Sequence, residues 1–136
     1  MASAKRIRVG IGGSNYAPWR GAFYPEGLVQ RRELEFASRK VTSIETNSTF
    51  YGSQKPASFA RWRNETPDGF VFSVKGPRAV TQRRTLASAD DSIARFLDGG
   101  VLQLADRLGP INWQLAPSRQ FDAADIEAFF ELLPRE

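Results

Sequence analysis

The chain has 136 residues, 41% hydrophobic, 25% charged and 12% aromatic, which is enough for one compact domain with its own core. It contains no cysteine and no histidine, excluding a disulfide framework, thiolate metal sites and the commonest general base near neutral pH. Its net charge is +4, with arginine far more frequent than lysine, a balance that suits solvated helix faces and also admits nucleic acid or anionic metabolites as partners.

In chain order, residues 7–12 read as a short buried strand, and residues 28–39 as a helix with apolar Leu34, Phe36 and Ala37. Residues 41–45 form a second strand. Pro56 then opens a helix carrying Phe59 and Trp62 and ending near Pro67, since proline suits a first helical position. Residues 70–75 are the clearest strand, aromatic and β-branched. Ser88 reads as the N-cap of a helix that uses Ile93, Phe96 and Leu97, with Asp91 three residues after the cap. Residues 110–115 make the fourth strand, and Asp122 caps a last helix with Ile126, Phe129, Phe130 and Leu133.

Strands alternating with helices imply an α/β fold with a parallel sheet and right-handed crossovers. Both an open doubly wound sheet and part of a (β/α)8 barrel fit that order. Alternation within the strands separates them. One parity is small or polar: Gly10 and Gly12; Ser43, Glu45 and Asn47; Ser73 and Lys75; Asn112 and Gln114. The other is apolar: Val9 and Ile11; Ile44; Phe70, Phe72 and Val74; Ile111, Trp113 and Leu115. A doubly wound sheet is apolar on both faces. A barrel interior that turns polar toward the strands' C-terminal ends, where barrel sites sit, fits better. A full barrel needs about 250 residues, so residues 1–136 are expected to be a single partial domain, a truncated half-barrel of about four βα units.

Glu45, Asn47, Lys75 and Gln114 lie at or just past predicted strand ends on the polar parity. Glu45 and Lys75, on adjacent strands, are expected to pair as acid/base and electrostatic anchor, with Asn47 and Gln114 orienting a ligand. The alternative is a satisfied polar layer inside the barrel, because an unpaired buried charge costs several kcal/mol, so pairing follows either way. The loop after the third strand is cationic, and its Arg78 and Thr81 suit phosphate or carboxylate; a solvated basic loop is the plainer reading. Trp19 and Tyr51 belong to an aromatic group in the loops after strands one and two, where they line a pocket or close the top of the barrel. Gly10-x-Gly12-Gly13 lacks dinucleotide or P-loop spacing and reads as small residues leaving interior space.

Three stretches, Val9-Gly10-Ile11-Gly12-Gly13-Ser14, Trp19-Arg20-Gly21-Ala22-Phe23-Tyr24-Pro25 and Glu45-Thr46-Asn47-Ser48-Thr49-Phe50-Tyr51, resemble the YecE-like family. Residues 70–75 and 108–115 look like its third and fourth strands, so the resemblance covers almost the whole chain. It implies a (β/α)8 barrel and no established reaction. It also implies that Glu45, Asn47, Tyr51, Lys75 and Gln114 share the family's pocket. Three departures stand out: Gln82 occupies the place of a usual histidine, Ala116 replaces the first of two prolines, and the family continues for about four more βα units.

The expectation is thus an uncharacterised YecE-like barrel protein, enzyme or binder, for a small anionic compound such as a phosphorylated one. A nucleic-acid-binding module is an alternative. A non-catalytic half-barrel that self-associates as a homodimer through its exposed edges is another. No metal or other cofactor is expected from this segment. No apolar run reaches membrane-spanning length, and the N-terminal residues lack the apolar stretch of a secretory signal. No membrane partner and a cytoplasmic location are therefore expected.

Overall fold

The computed structural model describes residues 5–135. The chain runs β1 (Gly10–Gly12), α1 (Glu33–Ala37), β2 (Ser43–Thr46), α2 (Ser48–Tyr51), α3 (Pro56–Glu65), β3 (Val71–Lys75), α4 (Arg78–Thr81), α5 (Asp90–Asp98), β4 (Leu108–Asn112) and α6 (Ala123–Leu132), with short 3-10 turns between them. The strands form one sheet in the order β1-β2-β3-β4, and each neighbouring pair is parallel. The fold is α/β, as the alternation of elements predicts. Among the described residues, no helix is long and apolar enough to cross a membrane.

Register decides which side chains share a face. Gly12 lies opposite Glu45, Glu45 opposite Ser73, and Lys75 opposite Asn112. The small and polar parity therefore lines one side of the sheet. Ile44, Phe72 and Val74 point to the other side and are 2% exposed or less. Tyr24, Phe59, Val101 and Leu104 join them in one core, with Trp62 and Leu34 packed against it. Burying a side chain such as Phe72 contributes about 1.5–3 kcal/mol. A second cluster, Val80, Leu86, Ile93 and Phe129, ties α5 and α6 together.

Several boundaries differ from the sequence expectation, each for a local reason. The first strand begins at Gly10, not at residue 7. The Val9 amide is taken by the Thr42 hydroxyl at 2.8 Å, and Ile7 and Val9 stand exposed. The expected helix over 28–39 is regular only from Glu33 to Ala37, after a 3-10 turn at Gln30–Arg32. Ser88 is not an N-cap. It closes a 3-10 turn, its hydroxyl donating to the Thr85 carbonyl at 2.8 Å, and α5 starts after buried Ala89 with Asp90 and Asp91 in its first turn. Those acidic residues suit the helix's positive end without a cap. Asp122 does cap α6, accepting from the Asp125 amide at 3.2 Å.

The fourth strand starts two residues and ends three residues earlier than expected. Phe72 pairs with Leu108 but Val74 with Ile111, so the partner strand carries one extra residue there. Pro110, which has no N–H to give the ladder, falls inside that irregularity, where proline is tolerated. Beyond the strand, Trp113 packs edge-on against Phe96 and Phe129, with ring centroids 6.0 and 5.9 Å apart.

Candidate functional site

Glu45 is the third residue of β2 and Lys75 the last of β3, one diagonal step apart on the polar face. Diagonal neighbours in a sheet are within reach of long side chains. Lys75 Nζ lies 3.9 Å from Glu45 Oε1, which is an ion pair without hydrogen-bond contact. Asn112, opposite Lys75 on β4, donates its side-chain amide to Glu45 Oε2 at 3.1 Å. One carboxylate oxygen is thus fixed, and the other faces the ammonium across a gap. Both charged side chains keep contact with solvent, 30% exposed for Glu45 and 15% for Lys75.

The Lys75 side chain is held from α2. Its ammonium stands 5.3 Å from the centroid of the Phe50 ring, within cation–π range. Buried Thr49 donates to the Lys75 carbonyl at 2.7 Å and shares a 3.0 Å bond with the Thr46 hydroxyl. The sequence Thr46-Asn47-Ser48-Thr49-Phe50 thereby folds back onto the end of β3. Asn47 begins that turn half-buried, its amide above Gly12 and Gly13.

The other expected residues are distributed differently. Tyr51 ends α2, 68% exposed, edge-on to Phe50 with centroids 5.0 Å apart. Trp19 is half-buried among Tyr16, Phe23 and Tyr24 and packs against the main core. Arg78 is exposed at the start of α4. Thr81 is fully buried, and its hydroxyl has no hydrogen-bond partner among the described residues. Gln114 is exposed two residues beyond β4. Asn112 is the strand-four amide that reaches Glu45; it shares the polar parity with Gln114, and only register distinguishes them. The structure therefore brings Glu45, Lys75 and Asn112 together, with Asn47 nearby.

A feature that strand parity could not show lies behind β1. Glu33, the first residue of α1, is 1% exposed. Its Oε1 binds Arg20 Nε at 2.6 Å, and Arg20 also donates to the Asn15 side chain at 3.0 Å. Tyr24, fully buried alongside, donates its hydroxyl to the Ser14 carbonyl. Burial, reinforced by the Glu33 charge, pushes the Tyr24 phenol above its ordinary value. A cavity of about 700 Å³ opens between these loops and the helices α1 and α3; Gly12, Asn15, Glu33, Glu45, Asn47 and Trp62 are among its lining residues.

Comparison with known proteins gives the family and the fold. The family model described as "Protein of unknown function DUF72" matches residues 8–136. The chain is similar to the UPF0759 protein YecE of Escherichia coli (strain K12), 33% identical over 106 residues that cover 76% of this chain and 38% of that protein. The same protein of Escherichia coli O157:H7 matches to the same extent. Two crystal structures of a DUF72 family protein from Enterococcus faecalis V583 share the fold. Their TM-scores are 0.66 and 0.71 at 15% and 16% identity, over 92% and 93% of this chain and 45% and 46% of theirs. The chain spans less than half the length of these relatives. With its sheet order, polar strand parity and family-model match in agreement, the chain belongs to the YecE-like DUF72 family.

Proposed function

We propose that the chain forms the first half of a (β/α)8 barrel and binds a small anionic compound, acted on by Glu45, where the strands' C-terminal ends converge. The observation that carries this reading is the pair held apart at 3.9 Å while Asn112 anchors the far oxygen. A purely structural ion pair gains most from close, fully bonded geometry. A carboxylate fixed at this distance and not bonded to the ammonium lets a ligand oxygen bridge the two from one side, within hydrogen-bond reach of both. Lys75 supplies the charge for a phosphate or carboxylate, Glu45 Oε1 is placed to exchange a proton, and exposed Arg78 reinforces the field at the rim. Buried Thr81 serves the packing of α4 under this reading and does not touch the ligand.

Isothermal titration with inorganic phosphate tests the anchor. The native chain is predicted to bind saturably and Lys75→Gln at least tenfold more weakly, with an unchanged far-ultraviolet spectrum. Equal affinity in the two would refute the assignment. For any compound the native protein turns over, Glu45→Gln is expected to remove turnover and keep the fold.

A second reading concerns assembly. β1 and β4 each pair with one strand among the described residues, and apolar Ile7 and Val9 beside one edge and Phe121 and Phe130 beyond the other are exposed. Two copies joined β4 to β1 would supply eight parallel strands, the number in a closed barrel of this kind. The partner copy would then cover the site from the side opposite Glu45.

A further inference from the structure

We infer that the hollow above Gly12 and Gly13 is a second ligand subsite, built for the polyhydroxylated, sugar-like part of the anionic ligand proposed above. The inference rests on that reading for the anionic end only.

The cavity's volume of about 700 Å³ falls within the range of roughly 300–1,000 Å³ usual for small-molecule sites. Its floor is open for no backbone reason at Gly12. That residue has no left-handed φ, and a Cβ built there meets nothing closer than Asn47 Nδ2 at 3.8 Å. A strand position that tolerates a side chain has been left without one. Gly13 differs, since its φ of +88° favours glycine in any case.

The walls are chemically suited to hydroxyl groups. Asn15 and Asn47 carry amides that both donate and accept, as a hydroxyl does. Glu33 lines the cavity 1% exposed, with Oε1 on Arg20 and Oε2 without a hydrogen-bond partner among the described residues. A buried acceptor left without a donor is costly, and a ligand hydroxyl delivered here supplies the missing donor. Charge in the cavity is largely paired internally, Glu33 with Arg20 and Glu65 with Arg61 at 3.6 Å. That balance fits a neutral hydroxylated group better than a second anion. Glu45 lines the cavity, and Lys75, outside that lining, stands 3.9 Å from its carboxylate. One ligand can therefore place hydroxyls over Gly12 and its anionic group at Lys75.

The test titrates glucose 6-phosphate, glucose and inorganic phosphate into the native chain and into Gly12→Val, Asn47→Leu and Lys75→Gln. Valine suits a strand, so Gly12→Val fills the hollow and is expected to melt like the native chain. Native protein is predicted to bind glucose 6-phosphate at least tenfold more tightly than inorganic phosphate. Gly12→Val is predicted to erase that preference and leave phosphate affinity unchanged, and Asn47→Leu is predicted to erase the preference as well. The subsite is overturned if glucose 6-phosphate binds no better than phosphate, or if both variants retain the preference. Failure of the anionic reading looks different: Lys75→Gln leaves phosphate and glucose 6-phosphate binding untouched, while a glucose response persists that Gly12→Val removes.

Discussion

Asp125 holds a turn far from it in sequence. Its carboxylate accepts from the Leu86 amide at 3.0 Å and the Ala87 amide at 2.9 Å, with Arg119 at 3.6 Å. Those backbone bonds, Leu86 first, together with the nearby guanidinium, hold the Asp125 carboxyl below the usual range. A carboxyl lowered on folding adds stability above its unfolded value of about 4 and loses it as pH falls through the lower folded value. Asp125→Asn is accordingly predicted to lower the melting temperature at neutral pH and to flatten the decline between about pH 5 and pH 2. Parallel native and variant curves over that interval would contradict the role. At this scale the sequence was only partly legible. Glu45 and Lys75 follow from strand parity alone. Choosing between Asn112 and Gln114 requires knowing the register set by the extra residue around Pro110, which puts Asn112 opposite Lys75. Buried Glu33 was not foreseeable, because a glutamate beginning an amphipathic helix ordinarily faces water.

At the scale of the element, β3 and its neighbours carry the fold. Phe72 is 1% exposed at the centre of the core, so Phe72→Ala is predicted to cost about 3–5 kcal/mol in urea unfolding. A loss below about 1 kcal/mol would mean the core does not centre on this strand. Just after β3, a Cβ on Gly76 would come within 2.3 Å of the Trp113 ring. Gly76→Ala is thus predicted to destabilise by about 1–3 kcal/mol through overpacking; a neutral result would show that Trp113 moves freely. The identity and order of the four strands were readable because a period of two is a strong signal over five or six residues. The ends of elements were not, since they depend on partners remote in sequence. Thr42 takes the Val9 amide and shortens β1, and buried Ala89 starts α5 where Ser88 had the better capping chemistry.

For the whole molecule, the sheet's polar face and its two edges, unpaired among the described residues, frame both the binding and the assembly readings. If two copies close the barrel, light scattering coupled to size exclusion will give a mass of twice 15.2 kDa, independent of loading over a wide range. A monodisperse monomer with a cooperative melt would remove the second copy from the account. The α/β class and family are legible because the alternation of elements and the Glu-x-Asn-Ser-Thr-Phe-Tyr stretch survive without structural knowledge. The chemistry is less so, because it depends on side chains from three strands meeting at one place. The most direct measurement of that meeting is an amide chemical-shift map during titration with inorganic phosphate, recorded on the native chain and on Lys75→Gln. The account predicts saturable shifts centred on Glu45, Lys75 and Asn112 that disappear in the variant. Shifts centred instead on Arg83 and Arg84, or an identical map in Lys75→Gln, would contradict it.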